Sequence, residues 1–162
     1  SHAVPADWGT MGVKVRNCDL RLGHQSALAG IKHLNRLENV LAAAEWDDQD
    51  IAEGLLLDAT DNVVSGTRSN LFLIKSNQII TPDLSRCGVA GVQRSRVLSW
   101  ATQHGYAQQI RDVHLNELFS ADELFLVNSI IGLWPIRQLK QSNWAGFPIA
   151  MQIRHHLEAE CE

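Results

Sequence analysis

The sequence lacks long hydrophobic runs and runs of basic residues. Its 162 residues carry a formal net charge of -4, and no stretch of lysine and arginine alternates with aromatic side chains. Binding to a nucleic-acid backbone depends on clustered positive charge, so we expect no nucleic-acid partner. No apolar stretch approaches the roughly 20 residues of a membrane-spanning helix, and residues 1–5 do not resemble a secretory signal peptide. We therefore expect no membrane association.

Cysteine is also scarce. Cys18, Cys87 and Cys161 are far apart and form no CxxC pair, which is typical of reduced thiols and predicts a cytoplasmic protein. The seven histidines show no HxxxH spacing, and the adjacent His155 and His156 would diverge on a helix. This pattern predicts no metal site.

What is present is typical of a soluble globular domain with a substantial core, since 45% of the residues are hydrophobic and 20% are charged. Short apolar runs predict strands over residues 13–16, 19–22, 54–58, 70–75, 78–81 and 123–127. Residues 76–77 separate two of these runs and predict a hairpin. Helices are predicted over about residues 34–46, 92–104, 115–121 and 148–160. Strands in runs with a few helices favour an α+β fold over a doubly wound sheet.

Lys32 is the first candidate for chemistry. It lies between Ile31 and Leu34 at the start of a predicted helix. A helical repeat of apolar residues predicts that one face of this helix packs in the core: Leu34, Leu37, Val40, Leu41 and Ala44. A lysine held against apolar surface loses solvation of its ammonium form, so its free amine becomes available for Schiff-base chemistry with a carbonyl cofactor. The alternative is that Lys32 extends its charge into water.

Two further segments could border a binding site. Residues 87–93 form a glycine-containing loop that leads into a predicted helix, and helix N-termini bind phosphate through unpaired N–H groups and the helix dipole. Most such loops bind nothing, so this pattern is weak alone. Asn128 and Ser129 follow a predicted strand whose carboxyl end could border a site, although they could equally cap the strand.

Three segments in order resemble the fold-type-IV pyridoxal-phosphate (PLP) enzymes, which include aminodeoxychorismate lyases and D-amino-acid and branched-chain aminotransferases. The segments are AGIKHLNRLE at 29–38, VSGTRSNLF at 64–72, and TPD at 81–83 followed by CGVAGV at 87–92. The first is most similar to the lyases. The resemblance extends from about residue 15 to about residue 136. It implies the large domain of this family, with a mixed, barrel-like sheet and flanking helices.

The resemblance also implies a site. Lys32 would be the catalytic residue and would hold PLP covalently. The backbone N–H groups of Val92 and Gln93, after Gly91, would bind the cofactor phosphate, and Ser129, with Asn128 second, would also contact it. Val89 would pack on the pyridine ring, and Ser65 would lie near the ring nitrogen.

Ser65 departs from the family pattern, which has a glutamate five residues before the asparagine of SNLF. In the family this carboxylate keeps the pyridine nitrogen protonated, which makes the ring a strong electron sink. Serine can only form a hydrogen bond there, so the sink is weaker. The departure disfavours transamination more than an elimination that is driven by formation of an aromatic ring.

The resemblance therefore implies a PLP-dependent 4-amino-4-deoxychorismate lyase that releases pyruvate and 4-aminobenzoate for folate biosynthesis. A D-amino-acid or branched-chain aminotransferase is the first alternative. The family has a smaller N-terminal domain that matches no segment of this chain, so we expect residues 1–162 to be the C-terminal, cofactor-binding domain. The second alternative is accordingly a truncated, catalytically inactive PLP-fold domain. The full-length form is expected to be a homodimer that acts on a small molecule.

Overall fold

A computed structural model describes residues 4–160, over which the chain forms nine strands and five helices. The strands are β1 Val13–Leu22, β2 Ile51–Asp58, β3 Val63–Gly66, β4 Asn70–Lys75, β5 Gln78–Pro82, β6 Ala107–Arg111, β7 Glu123–Asn128, β8 Gly132–Leu139 and β9 Ser142–Asn143. The helices are α1 Trp8–Met11, α2 Leu37–Ala43, α3 Val92–Gln103, α4 Leu115–Leu118 and α5 Pro148–Ala159.

The strands form one curled mixed sheet in the order β3-β2-β1-β8-β7-β4-β5-β6, with β9 beside β8. β1 is parallel to both β2 and β8, and β5 is parallel to β6, whereas the other pairs are antiparallel. The two ends of this order meet, because Asn62 bridges to His114 and the N–H of Val63 donates to the carbonyl of Val113. The α+β fold with a barrel-like sheet, expected from the sequence, is confirmed.

Both faces of the central strands are buried, which explains their nearly continuous apolar sequences. On β4, Leu71 and Leu73 point into the cluster inside the curl of the sheet. The alternate residues Phe72 and Ile74 point into a second cluster, which α3 and α5 cover. The second cluster holds α3 through Val97, Trp100 and Ala101, and the N-terminus of this helix lies at an open cleft.

Most predicted elements are confirmed, including the hairpin at residues 76–77 and the helix over 92–104. In the hairpin turn, Ser76 and Asn77 have positive φ angles of 49° and 62°, as a tight two-residue turn requires. None of the helices formed by residues 4–160 is long and apolar enough to cross a membrane.

The prediction for residues 34–46 is wrong in two respects. The helix is shorter, Leu37–Ala43, and its buried residue is Ala42 rather than the predicted apolar stripe. Leu34 is 102% exposed and Leu37 is 63% exposed, and Val40 and Leu41 are also exposed. An apolar stripe becomes a core face only where another element packs on it, and the elements formed by residues 4–160 leave this one uncovered.

Candidate functional site

A single open cleft of about 1060 Å³ brings together every site residue predicted from the sequence. Its walls are the segment around Lys32, the turn between β3 and β4, the loop before α3, and the turn after β7. The predicted residues that line it are Lys32, Ser65, Val89, Gly91, Val92, Gln93, Asn128 and Ser129. These residues come from four separate segments, so the cleft is a product of the tertiary fold.

Lys32 lies in an irregular segment ahead of α2 and is exposed to solvent. Burial of Lys32 against the apolar side chains of Ile31 and Leu34, which the sequence predicts, is wrong, because both side chains are more than half exposed. The segment faces the open cleft instead. What holds the segment is backbone pairing two residues earlier: the N–H of Gly30 donates to the carbonyl of Gly88 at 2.9 Å, and Ala90 N–H donates to the carbonyl of Gly30 at 3.2 Å.

The loop before Lys32 is also anchored by Asp58, which is 2% exposed. Its carboxylate accepts hydrogen bonds from Thr60, Asn62 and the Nε2 atom of His24 at 3.1 Å. Burial raises the pKa of Asp58, but the hydrogen bonds from Thr60, Asn62 and His24 outweigh it and lower the pKa to about 2. The Asp58 carboxylate therefore ties the loop at His24 to the end of β2.

The conformation of the loop before α3 is fixed by Asn70, a buried residue at the start of β4. Its Nδ2 atom donates to the carbonyl of Val89 at 2.8 Å, and its Oδ1 atom accepts from the N–H of Gly91 at 3.0 Å. Gly88 has a φ of 90°, and a Cβ atom there would lie 2.8 Å from Val64. Gly91 is the N-cap of α3, and no side chain caps this helix. Its first turn therefore presents backbone N–H groups toward the cleft without a side-chain acceptor.

The end of β3 and the turn between β3 and β4 form the adjoining wall. The hydroxyl of Ser65 donates to the carbonyl of Gly66 at 2.8 Å. Asn128 donates from Nδ2 to the carbonyl of Arg68 at 2.9 Å, and its Oδ1 atom accepts from the N–H groups of Ile130 and Ile131. The Asn128 side chain therefore organises the turn after β7, and the neighbouring Ser129 is exposed in the cleft.

The cleft is predominantly cationic. Lys32, Arg36 and Arg68 line it, and Glu38 is the one acidic side chain among the lining residues in the described part of the chain. Glu38 accepts a hydrogen bond from the N–H of Gly23. Cys87 also lines the cleft, and burial raises the pKa of its thiol to about 11, so the thiol is protonated at neutral pH. This charge balance suits an anionic ligand.

Asn70 and Glu53 also contribute to the site, and neither is predicted from the sequence. Each is a polar residue at the beginning or in the middle of an otherwise apolar strand, and each is buried. A polar side chain in such a run signals a buried hydrogen-bonding role, although the sequence does not reveal the partner. Across residues 4–160, no group of three or more histidine, cysteine or acidic side chains could hold a metal ion.

The chain is similar to known enzymes over most of its length. An aminodeoxychorismate lyase from Vibrio harveyi is 40% identical over 148 residues, which cover 91% of this chain and 55% of that protein. The crystal structure of 4-amino-4-deoxychorismate lyase from Pseudomonas aeruginosa matches with a TM-score of 0.94 and 45% identity, covering 98% of this chain and 59% of that one. A probable branched-chain-amino-acid aminotransferase from Thermotoga maritima is 32% identical over 134 residues, or 82% of this chain and 48% of that protein.

The chain thus spans about half to three-fifths of the length of these relatives. The model of the family described as "Amino-transferase class IV" matches residues 4–139, which include β1, the Lys32 segment, β2 and the loop before α3. The chain belongs to the class IV aminotransferase family.

Proposed function

We propose that residues 1–162 form the PLP-binding large domain of a 4-amino-4-deoxychorismate lyase, which converts aminodeoxychorismate to pyruvate and 4-aminobenzoate, a folate precursor. Enzymes of the class IV aminotransferase family are PLP-dependent. The observation that carries the proposal is that one cationic cleft holds the exposed amine of Lys32 and the uncapped N-terminus of α3. The two relatives named above as lyases share 40% and 45% identity with the chain, more than the aminotransferase does.

The residues present fit the phosphate of PLP. The first turn of α3 has no acidic side chain and no side-chain cap, so its N–H groups are available to an anion. A Cβ atom on Gly91 would lie 2.8 Å from Oδ1 of Asn70, so the close approach of the loop to Asn70 requires glycine. We assign phosphate binding to the backbone N–H groups of Val92 and Gln93, which follow Gly91, with the hydroxyl of Ser129 as a second contact and Val89 beside the ring.

Lys32 is the catalytic residue in this proposal. Bound PLP would supply an aldehyde for amine exchange and a ring that withdraws electrons from the substrate carbon. The Nζ atom of Lys32 would hold the cofactor and, once displaced by the substrate amine, would take the proton from the ring carbon that bears this amine. Because both products are carboxylates, the substrate carries two carboxylates, and Arg36 and Arg68 at the cleft provide positive charge to attract them.

Ser65 favours the lyase over an aminotransferase. It lies in the cleft at the position proposed to face the ring nitrogen, and its hydroxyl already donates to the carbonyl of Gly66. A neutral side chain there cannot stabilise a protonated ring nitrogen as a carboxylate would. Transamination depends strongly on that protonation, whereas an elimination that forms an aromatic ring gains driving force from its product.

The exposed apolar side chains beside the cleft support a larger assembly. Leu34 and Ile130 are 102% and 94% exposed, and Leu37, Val40 and Leu41 are also exposed. Soluble proteins seldom expose so many neighbouring apolar groups without a partner. We assign this surface to the family's smaller N-terminal domain and to a homodimer partner in the full-length form.

The isolated, widely spaced cysteines support a cytoplasmic location.

A catalytically inactive PLP-fold domain is the second candidate, and its support is that the cleft is open and leaves Lys32 exposed to solvent. It shares the cofactor site but not turnover, because preorganisation of the reacting groups requires a closed site. The two candidates therefore differ in activity and agree in cofactor binding.

The test is a spectroscopic titration of the chain with PLP, followed by borohydride reduction and peptide mass mapping. Wild type should develop a visible absorbance band and carry a reduced adduct on Lys32. Lys32→Ala should lose both, whereas the matched control Lys75→Ala, outside the cleft, should keep both. Pyruvate and 4-aminobenzoate release from aminodeoxychorismate then separates a lyase from an inactive domain, and amino transfer to a 2-oxo acid would indicate the aminotransferase. Absence of any Lys32-dependent band would refute the cofactor assignment.

A further inference from the structure

Glu53 is a buried carboxylate in the middle of β2, and it is 3% exposed. Its Oε1 atom accepts from the N–H of Gly54 at 3.0 Å and from the N–H and hydroxyl of Thr67 at 3.2 and 2.5 Å. Its Oε2 atom accepts from the N–H of Arg68 at 3.3 Å and the hydroxyl of Ser69 at 2.9 Å. Four of these five donors belong to residues 67–69, so one side chain organises the whole turn between β3 and β4.

The turn is built for this close approach. A Cβ atom on Gly66 would lie 2.9 Å from Oε2 of Glu53 and 2.2 Å from Oγ of Ser69, so a larger residue does not fit. The N–H of Gly66 also donates to the carbonyl of Ser69 at 2.9 Å, which closes the turn on itself. Buried polar networks of this kind fix a conformation when every member has a partner.

The carbonyl groups of the same turn reach outward to two other walls of the cleft. The carbonyl of Thr67 accepts from Nδ2 of Asn39 at 2.8 Å, and Asn39 belongs to α2, which follows the Lys32 segment. The carbonyl of Arg68 accepts from Nδ2 of Asn128 at 2.9 Å, beside Ser129. Glu53 itself does not line the cleft, whereas Thr67, Arg68, Asn39 and Asn128 do.

We propose that Glu53 is a positioning residue of the cofactor cleft. Its carboxylate accepts from the N–H groups of Thr67 and Arg68, which keeps the carbonyl groups of the same residues in position to accept from α2 and from the turn after β7. Loss of the Glu53 carboxylate would therefore make three walls of the cleft more mobile: the turn at residues 67–69, α2 and the turn after β7. The role in cofactor binding rests on the proposed function, whereas the coupling between the three walls does not.

The test compares Glu53→Gln with Glu123→Gln in the full chain. Glu123 is a matched control: it is also 3% exposed and accepts from the backbone N–H groups of Ile149 and Ala150, at α5 and away from the cleft. In Glu53→Gln one acceptor oxygen becomes an NH₂ group, and we expect this group at the position of Oε2, because Oε1 accepts from two backbone N–H groups and Oε2 from one. The hydroxyl of Ser69 can rotate to accept from it, but the N–H of Arg68 loses its acceptor.

The first readout is amide hydrogen exchange without added cofactor. In Glu53→Gln we expect exchange to accelerate by about tenfold or more at Arg68 and also in peptides covering residues 36–40 and 128–131, with α5 unchanged. Glu123→Gln should affect α5 and leave those peptides as in wild type. Acceleration confined to Arg68, no acceleration, or the same pattern in both variants would overturn the proposal.

Thr67→Val provides a second variant should Glu53→Gln fail to fold. It removes one hydroxyl donor to Glu53 and preserves the shape of the side chain, and we expect about threefold faster exchange in the same three segments. Unchanged exchange in residues 36–40 and 128–131 of Thr67→Val would then refute the coupling.

The second readout is PLP affinity from the absorbance titration. Glu53→Gln should weaken PLP binding by about tenfold or more, and Glu123→Gln should bind PLP as wild type does. Wild-type affinity in Glu53→Gln would contradict the positioning role at the cofactor. If wild type itself binds no PLP, the proposed function fails, and the exchange pattern still decides whether Glu53 couples the three walls.

Discussion

Asn70 is the side chain that most directly holds the proposed phosphate loop, and Asn70→Ala is the sharpest test of how this loop is maintained. Asn70 is 7% exposed and bridges the carbonyl of Val89 and the N–H of Gly91. Alanine removes both hydrogen bonds and leaves the two backbone groups without their partner. A buried amide that spans one loop in this way contributes to stability and to the geometry of the site together.

The magnitude follows from the two hydrogen bonds. Each contributes a net of about 0.5–1.5 kcal/mol, so Asn70→Ala should lower the free energy of unfolding by about 1–3 kcal/mol. If the substitution also raises the free energy of the binding-competent loop conformation by about 2 kcal/mol, PLP affinity should fall by up to about 30-fold, because only molecules in that conformation bind. The two effects have the same structural origin and should appear together.

Urea unfolding followed by tryptophan fluorescence measures the free energy of unfolding, and absorbance titration measures PLP affinity. The control is Asn143→Ala, which removes an exposed asparagine whose Nδ2 atom donates locally to the carbonyl of Gln141. This control should stay within about 0.5 kcal/mol of wild type and keep its affinity. An Asn70→Ala variant with wild-type stability and wild-type affinity would refute the view that this side chain maintains the loop.

Two further predictions concern the framework of the cleft. Because the pKa of Asp58 in the folded protein is about 2, below its ordinary value of 3.8, its contribution is present above about pH 4 and is lost as the pH falls toward 2. The difference in unfolding free energy between wild type and Asp58→Asn should therefore shrink by about 2 kcal/mol as the pH falls from about 5 to about 2. A difference that stays constant over this range would contradict the prediction. Gly88→Ala should cost about 2 kcal/mol or more, since its added Cβ meets Val64 and Leu84 at a φ of 90°. The control is Gly105→Ala, where φ is 73° and no atom lies within 4 Å of the added Cβ. It should lower the free energy of unfolding only by the backbone strain, about 1 kcal/mol. Equal losses of stability in the two variants, measured by chemical denaturation, would exclude the steric effect at Gly88.

Local chemistry explains why much of the fold was predictable from the sequence. The hairpin over residues 70–82 depends on two adjacent apolar runs and on a two-residue turn, and α3 begins after Gly91 and ends just before Gly105, which has a positive φ. These signals involve neighbours along the chain, so the sequence contains them. The same holds for the motif around Lys32, which identified the family and its cofactor chemistry.

Packing around α2 was not predictable in the same way. The helical repeat of Leu37, Val40 and Leu41 is real, but a repeat states only which side chains share a face, not what lies against it. In the tertiary structure this face borders an open cleft, so the side chains are exposed and Lys32 lies in an irregular segment. The predicted burial failed because the packing partner is not encoded in the local pattern.

The sequence by itself contained the groups of the proposed site: an amine at residue 32, a glycine-containing loop at 87–93 that we propose binds phosphate, and a serine where the family has glutamate. Only the tertiary structure decided how these parts are held. Hydrogen bonds join Glu53 to Thr67, Asn39 to Thr67 and Asn128 to Arg68, across 14, 28 and 60 positions of the chain. Partners so far apart in the chain meet only when the curled sheet brings their segments together, and the buried carboxylate of Glu53 has its role only in that arrangement.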